Sequence, residues 1–135
     1  MDLNQLLEIA IEARKNSYSP YSKFPVGAAV LTKDGKTYTG CNVENVVYGV
    51  TICAETVAIA KAVSEGSRNI AAVAVVADTE DVCRPCGSCR QFILEFGDEI
   101  VIIMGNLKGD KETRSIKELT PFAFGSQRSE VGNQI

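Results

Sequence analysis

Leu3, Leu6, Leu7, Ala10 and Ala13 recur at helical spacing behind Asp2, so the chain opens with a helix carrying one apolar face. Asp2 with Gln5 forms a capping-box pattern that marks where this helix starts. Pro20 and Pro25 bracket Tyr18 to Phe24, and the fixed φ of proline makes that stretch a stiff extended loop. Val26 to Thr32 reads as a buried strand, Asp34-Gly35 as a tight turn, and Lys36 to Val43 as the returning strand. Glu44 to Thr51 shows no period and is expected to be a loop. A helix is predicted from Thr51 or Ile52 to Glu65, stopped by Gly66.

The second half repeats the alternation. Ile70 to Ala77 is an unbroken apolar run, the pattern of a strand covered on both faces. A polar loop leads to Cys86, which opens a helix ending near Phe96-Gly97. Ile100 to Met104 is another buried strand. Asn106 to Lys111 is too short for a crossover helix, so a strand at Glu112 to Ser115 must run antiparallel to its predecessor. Ser115 and Glu118 form a second capping box, opening a short helix before Pro121. Helices must then cover both faces of one sheet. The expected fold is α/β, a three-layer α-β-α sandwich on a five-stranded mixed sheet. A length of 135 residues suits one domain, with a loose polar tail after about residue 125.

Composition changes the picture in three places. The net charge of −3 provides no electrostatic footprint for a nucleic-acid polymer. No apolar stretch has the length of a membrane span and none resembles an export signal, so a cytoplasmic location is expected. The chain has no histidine and five cysteines. Without histidine, Ser-His and Cys-His nucleophile pairs are excluded, and acid–base chemistry falls to a tuned carboxylate, lysine, thiol or metal-held water. Reduced cytosolic thiols favour metal binding over a disulfide framework.

Two stretches carry that chemistry: Cys53-Ala54-Glu55 and Pro85-Cys86-Gly87-Ser88-Cys89. They combine three thiolates with one carboxylate, the donor set of a catalytic zinc site that leaves one position open. Both stretches fall at predicted helix N-termini, where backbone N–H groups and the helix dipole favour thiolate. Three thiolates on Zn²⁺ leave a negative cluster, so nearby cations matter; Arg90 and Arg84 flank the second stretch. Other readings stay open on spacing alone. Cys41 or Cys83 could complete a structural zinc site, in a module that catalyses nothing. Cys83, Cys86 and Cys89 have the spacing of an iron–sulfur run, interrupted by Pro85. A redox dithiol at Cys86 and Cys89 would leave Cys53 and Glu55 without purpose.

On these residues the chain resembles the small three-cysteine cytidine deaminases from about residue 3 to Phe124. The likeness runs through Tyr18 to Phe24, Val26 to Ala29, Gly40 to Asn45, Cys53 to Glu55 and Pro85 to Gln91. It implies zinc on Cys53, Cys86 and Cys89, and Glu55 as the proton shuttle for hydrolysis of cytidine or deoxycytidine in pyrimidine salvage. It also implies that Phe24 stacks near the pyrimidine, that Asn42 and Glu44 bond the ribose hydroxyls, and that backbone around Ala54 reads the base edge. A homotetramer with shared active sites is implied, with Phe124 reaching a neighbour's site. One residue departs from the family: arginine usually follows the glutamate, and here Thr56 does. That leaves a related cytosine nucleoside such as blasticidin S as the alternative substrate, and makes Arg84 a candidate for compensating the cluster charge.

Overall fold

The computed structural model describes residues 1–125, so the polar tail expected to be loose lies outside the described residues. Asp2 caps α1 (Leu3–Arg14), its side chain accepting from the Gln5 N–H while the Gln5 side chain returns the bond. The hairpin follows as β1 (Val26–Thr32) and β2 (Thr37–Cys41). Then come α2 (Ala54–Ser64), β3 (Ile70–Ala77), α3 (Gly87–Leu94), β4 (Val101–Asn106), β5 (Lys111–Ser115) and α4 (Ile116–Leu119).

The strand order is β2-β1-β3-β4-β5. β3 and β4 pair parallel through the α3 crossover; the other three pairings are antiparallel. Alternation along each strand splits the core in two. Leu6, Leu7 and Ala10 of α1 pack with Ala29, Ala72, Ala74, Val76 and Ile103 on one face. Ala28, Val30, Val73, Val75, Ile102 and Met104 face the other way, against Ala54, Ala58 and Ile59 of α2, Ile93 of α3 and Ile116 of α4. The expected three-layer sandwich is the observed one.

Several boundaries differ from the sequence reading, and three of the differences bear on the site. The returning strand ends at Cys41, because Asn42 turns its side chain back onto the preceding loop. One 3₁₀ turn (Tyr48–Val50) interrupts the expected loop. α2 starts at Ala54, not near Thr51, since Val43 and Ile52 bridge as extended chain and hold residues 51–53 out of helix.

Gly40 explains how α2 reaches its place. A Cβ there would stand 2.3 Å from the Ala54 carbonyl oxygen and 2.6 Å from the Ala58 nitrogen. Only a glycine lets the first turn of α2 lie this close to β2. Gly40→Ala is expected to destabilise the fold by about 1–3 kcal/mol and to lower turnover, because the displaced turn carries Glu55. Thermal denaturation with a parallel activity assay checks both effects. Unchanged melting would contradict the close approach.

Candidate active site

The sheet end where β1 begins and β2 and β3 finish is the end where α2 and α3 start; Val26 pairs with Ala77, and Gly27 with Cys41. Cys53 and Cys86 are the N-cap residues of α2 and α3. Both have extended backbone and no capping side-chain bond, which leaves their sulfurs free to meet. Cys89 follows in the first turn of α3. The Sγ atoms of Cys53, Cys86 and Cys89 all lie within 4.8 Å of one another. Sulfurs about 2.3 Å from one tetrahedral zinc would stand inside that separation, so the donor set and its spacing fit the ion. Among the described residues no fourth ligand atom joins this group, and Cys41 on β2 and the buried Cys83 stay outside it. That geometry removes the support for a closed structural site and for a four-cysteine iron–sulfur cluster.

The sulfurs perturb one another and their surroundings. Hydrogen bonds from Cys89 and then Cys86 hold the Cys53 thiol down at about 6. Cys89, the donor to Cys53, is pushed up, by that bond first and by burial second. Glu55 is 4% exposed in the first turn of α2. Burial raises its carboxyl to about 7, with the Cys53 charge adding to the rise and its own backbone N–H opposing it. Burial outweighs the helix-terminal dipole, which would favour the charged form. Cys83 is pushed up to about 12 by burial and then by the Glu55 charge, so it stays a neutral thiol.

A cavity of ≈ 310 Å³ opens onto this cluster. Phe24, Asn42, Glu44 and Ala54 line it together with Cys53, Glu55 and Cys86. Every residue assigned to substrate from the sequence, Phe124 apart, therefore borders one space. Asn42 and Glu44 also hold the proline-bracketed loop. Asn42 Oδ1 accepts from the Val26 N–H at 2.9 Å and from Ser17 Oγ, while its Nδ2 donates to the Phe24 carbonyl at 2.9 Å. Glu44 accepts from the backbone N–H groups of Tyr21 and Ser22, both at 3.0 Å, and from Ser22 Oγ. Lys23 takes a left-handed φ of 57° between these clamps, and the chain turns there to bring Phe24 to the cavity. Sequence alone does not show this second role, because partners 16 to 25 positions apart leave no local pattern.

Phe124 lies outside the cavity lining and is 90% exposed, its carbonyl accepting from Gln91 Nε2 at 3.2 Å. Arg90 donates to the Pro85 carbonyl at 2.8 Å and the Leu119 carbonyl at 2.9 Å, tying the ligand-bearing turn to α4. Arg84 borders the cavity but pairs with Asp81 at 2.9 Å, which offsets its charge locally. The sequence reading overlooked Thr56 as a partner of the cluster: its hydroxyl is 3.8 Å from Cys89 Sγ.

Comparison with known proteins bears on this arrangement. Residues 1–104 match the family model described as "Cytidine and deoxycytidylate deaminase zinc-binding region". A protein of Sporosarcina psychrophila named cytidine deaminase is 50% identical over 128 residues, covering 94% of each chain. The crystal structure of a cytidine deaminase from Burkholderia pseudomallei superposes with a TM-score of 0.90 at 44% identity, covering 92% of this chain and 100% of that one. A protein of Bacillus cereus named blasticidin-S deaminase is 31% identical over 128 residues, covering 89% of this chain and 90% of its own.

Proposed function

The chain belongs to the zinc-binding cytidine and deoxycytidylate deaminase family, and from that premise we propose how its residues divide the reaction. It is a hydrolytic deaminase that converts cytidine to uridine and ammonia. The observation that carries the reading is a group of three sulfurs beside one buried carboxyl, two of the sulfurs and the carboxyl lining a cavity of ≈ 310 Å³.

Cys53, Cys86 and Cys89 would hold the zinc, which when bound supplies the Lewis acidity that makes water a nucleophile near neutral pH. Glu55 takes the proton from that water. It returns protons to the cytosine ring nitrogen and then to the leaving amino group, so the water oxygen ends on C4 as the C4–N bond breaks. A carboxyl poised at about 7 by burial can exchange protons in both directions near neutral pH. Phe24, 41% exposed at the cavity edge, presents a ring on which the pyrimidine can stack. Ala54 opens α2 at the floor and offers backbone groups to the base edge. We assign the ribose hydroxyls to Glu44 and Asn42, which border the same space. Arg90 adds positive charge beside the ligand turn; Arg84 is the weaker candidate for that role because Asp81 already pairs with it.

Cytidine and deoxycytidine are the assigned substrates, blasticidin S the alternative. Side-by-side ultraviolet assays of cytidine, deoxycytidine, cytosine and blasticidin S test this, with the two nucleosides expected to turn over fastest. Preference for blasticidin S would reassign the substrate and leave the chemistry intact. A structural zinc module without catalysis predicts no turnover of any of them.

We further propose a homotetramer in the cytoplasm, acting in pyrimidine salvage. Val46, Val47, Tyr48, Val50, Phe122 and Phe124 are each more than half exposed. Exposed apolar groups of this size suit burial against a second copy. Phe124 would then reach a neighbour's site. Sedimentation at assay concentration is expected to show the assembled species. A stable, fully active monomer would exclude a shared site. Among the described residues no helix is long and apolar enough to cross a membrane.

A further inference from the structure

Three thiolates bring three negative charges to an ion that carries two positive ones, and the excess charge weakens the Lewis acidity the reaction needs. A donor to one of the sulfurs would draw part of that charge away from the metal. Thr56 is placed to be that donor. It follows Glu55 in the first turn of α2, and its Oγ1 is 3.8 Å from Sγ of Cys89 across the α2–α3 contact. A thiolate has no proton to give, so with the metal bound the hydroxyl must donate and the sulfur accept. Among the described residues this is the one hydroxyl recorded within hydrogen-bonding range of a cluster sulfur. The flanking guanidiniums are engaged elsewhere, Arg84 by Asp81 and Arg90 by two backbone carbonyls.

We infer that Thr56 is a positioning residue of the metal centre: its hydroxyl donates to the Cys89 thiolate, orienting that sulfur and lowering the electron density it gives the metal. The inference rests on the zinc reading above. Partners that orient and polarise metal ligands are typically worth 10–100-fold in affinity or activity.

The test compares Thr56→Val, which keeps the branched shape without the donor, with Thr56→Ser, which keeps the donor with less bulk. Cobalt(II)-loaded protein provides a readout independent of turnover, the sulfur-to-metal charge-transfer band. Loss of the hydrogen bond makes the sulfur easier to oxidise, so the band in Thr56→Val should move to lower energy. Turnover of the zinc-loaded protein should fall roughly 10–100-fold as the metal loses Lewis acidity, and Thr56→Ser should restore both. A Thr56→Val protein with the parent band and parent turnover overturns the inference. A serine variant that restores neither also overturns it, because the effect is then one of packing. Should Thr56→Val not fold, Thr56→Ala is read against Thr56→Ser by the same criteria. A parent chain that binds no stoichiometric cobalt brings down the metal reading and this inference with it, a failure distinct from an unmoved band.

Discussion

Glu55→Gln is expected to fold and keep its zinc while losing roughly 10²–10⁴-fold in turnover, the span that general acid–base groups contribute. The amide matches the carboxyl in size, so the tightly packed start of α2, where Glu55 is 4% exposed, has no cavity to fill. What the amide lacks is a proton it can pass on. Glu55 is the carboxyl that burial and the neighbouring Cys53 raise to about 7, and no histidine exists anywhere in the chain to take over. Metal content, thermal melting and steady-state turnover measured on one preparation separate the causes. Near-normal turnover in a zinc-replete Glu55→Gln protein would refute the proton-shuttle assignment.

Cys86→Ala is expected to lose zinc and with it all measurable deamination, whereas Cys83→Ala retains both. The contrast is sharp because the two residues lie three positions apart in one loop, and both border the cavity. Cys86 is exposed at the start of α3 with its sulfur in the three-sulfur group. Cys83 is buried, and burial together with the Glu55 charge keeps it protonated, the wrong form for a ligand. Removing one of three ligands leaves a two-sulfur site that holds zinc poorly, while removing the Cys83 thiol costs packing alone. Zinc determination on dialysed variants decides the matter. Full retention in Cys86→Ala, or an equal loss in Cys83→Ala, would refute the ligand set.

Some of this was written locally in the chain. The capping boxes at Asp2 and Ser115 join residues three apart, and the spans of β1 and β3 follow apolar runs within the chain itself, so the sequence places them well. The ligand set was legible too, since two of its sulfurs share one helical turn and the third lies two residues before a carboxylate. Local pattern also required five strands in one mixed sheet, because the 106–111 connection is too short for a helix.

Other features depend on residues distant in sequence. Val43 and Ile52 bridge to keep residues 51–53 extended, which moved the start of α2 and made Cys53 its N-cap. The clamps of Asn42 and Glu44 on the loop before β1 join partners far apart in sequence. The contact of Thr56 with Cys89 joins residues 33 apart. Spacing along the chain reports which side chains share a helix turn or a strand face. It carries no record of which loop closes over which, because that is decided by how α2 and α3 pack on the common sheet. The layered fold, and a three-cysteine group placed to bind a metal beside a buried carboxyl, were legible from spacing along the chain. Only the packing of the elements decided which polar groups hold the loop before β1, which cations are already paired, and that a threonine hydroxyl stands against a cluster sulfur.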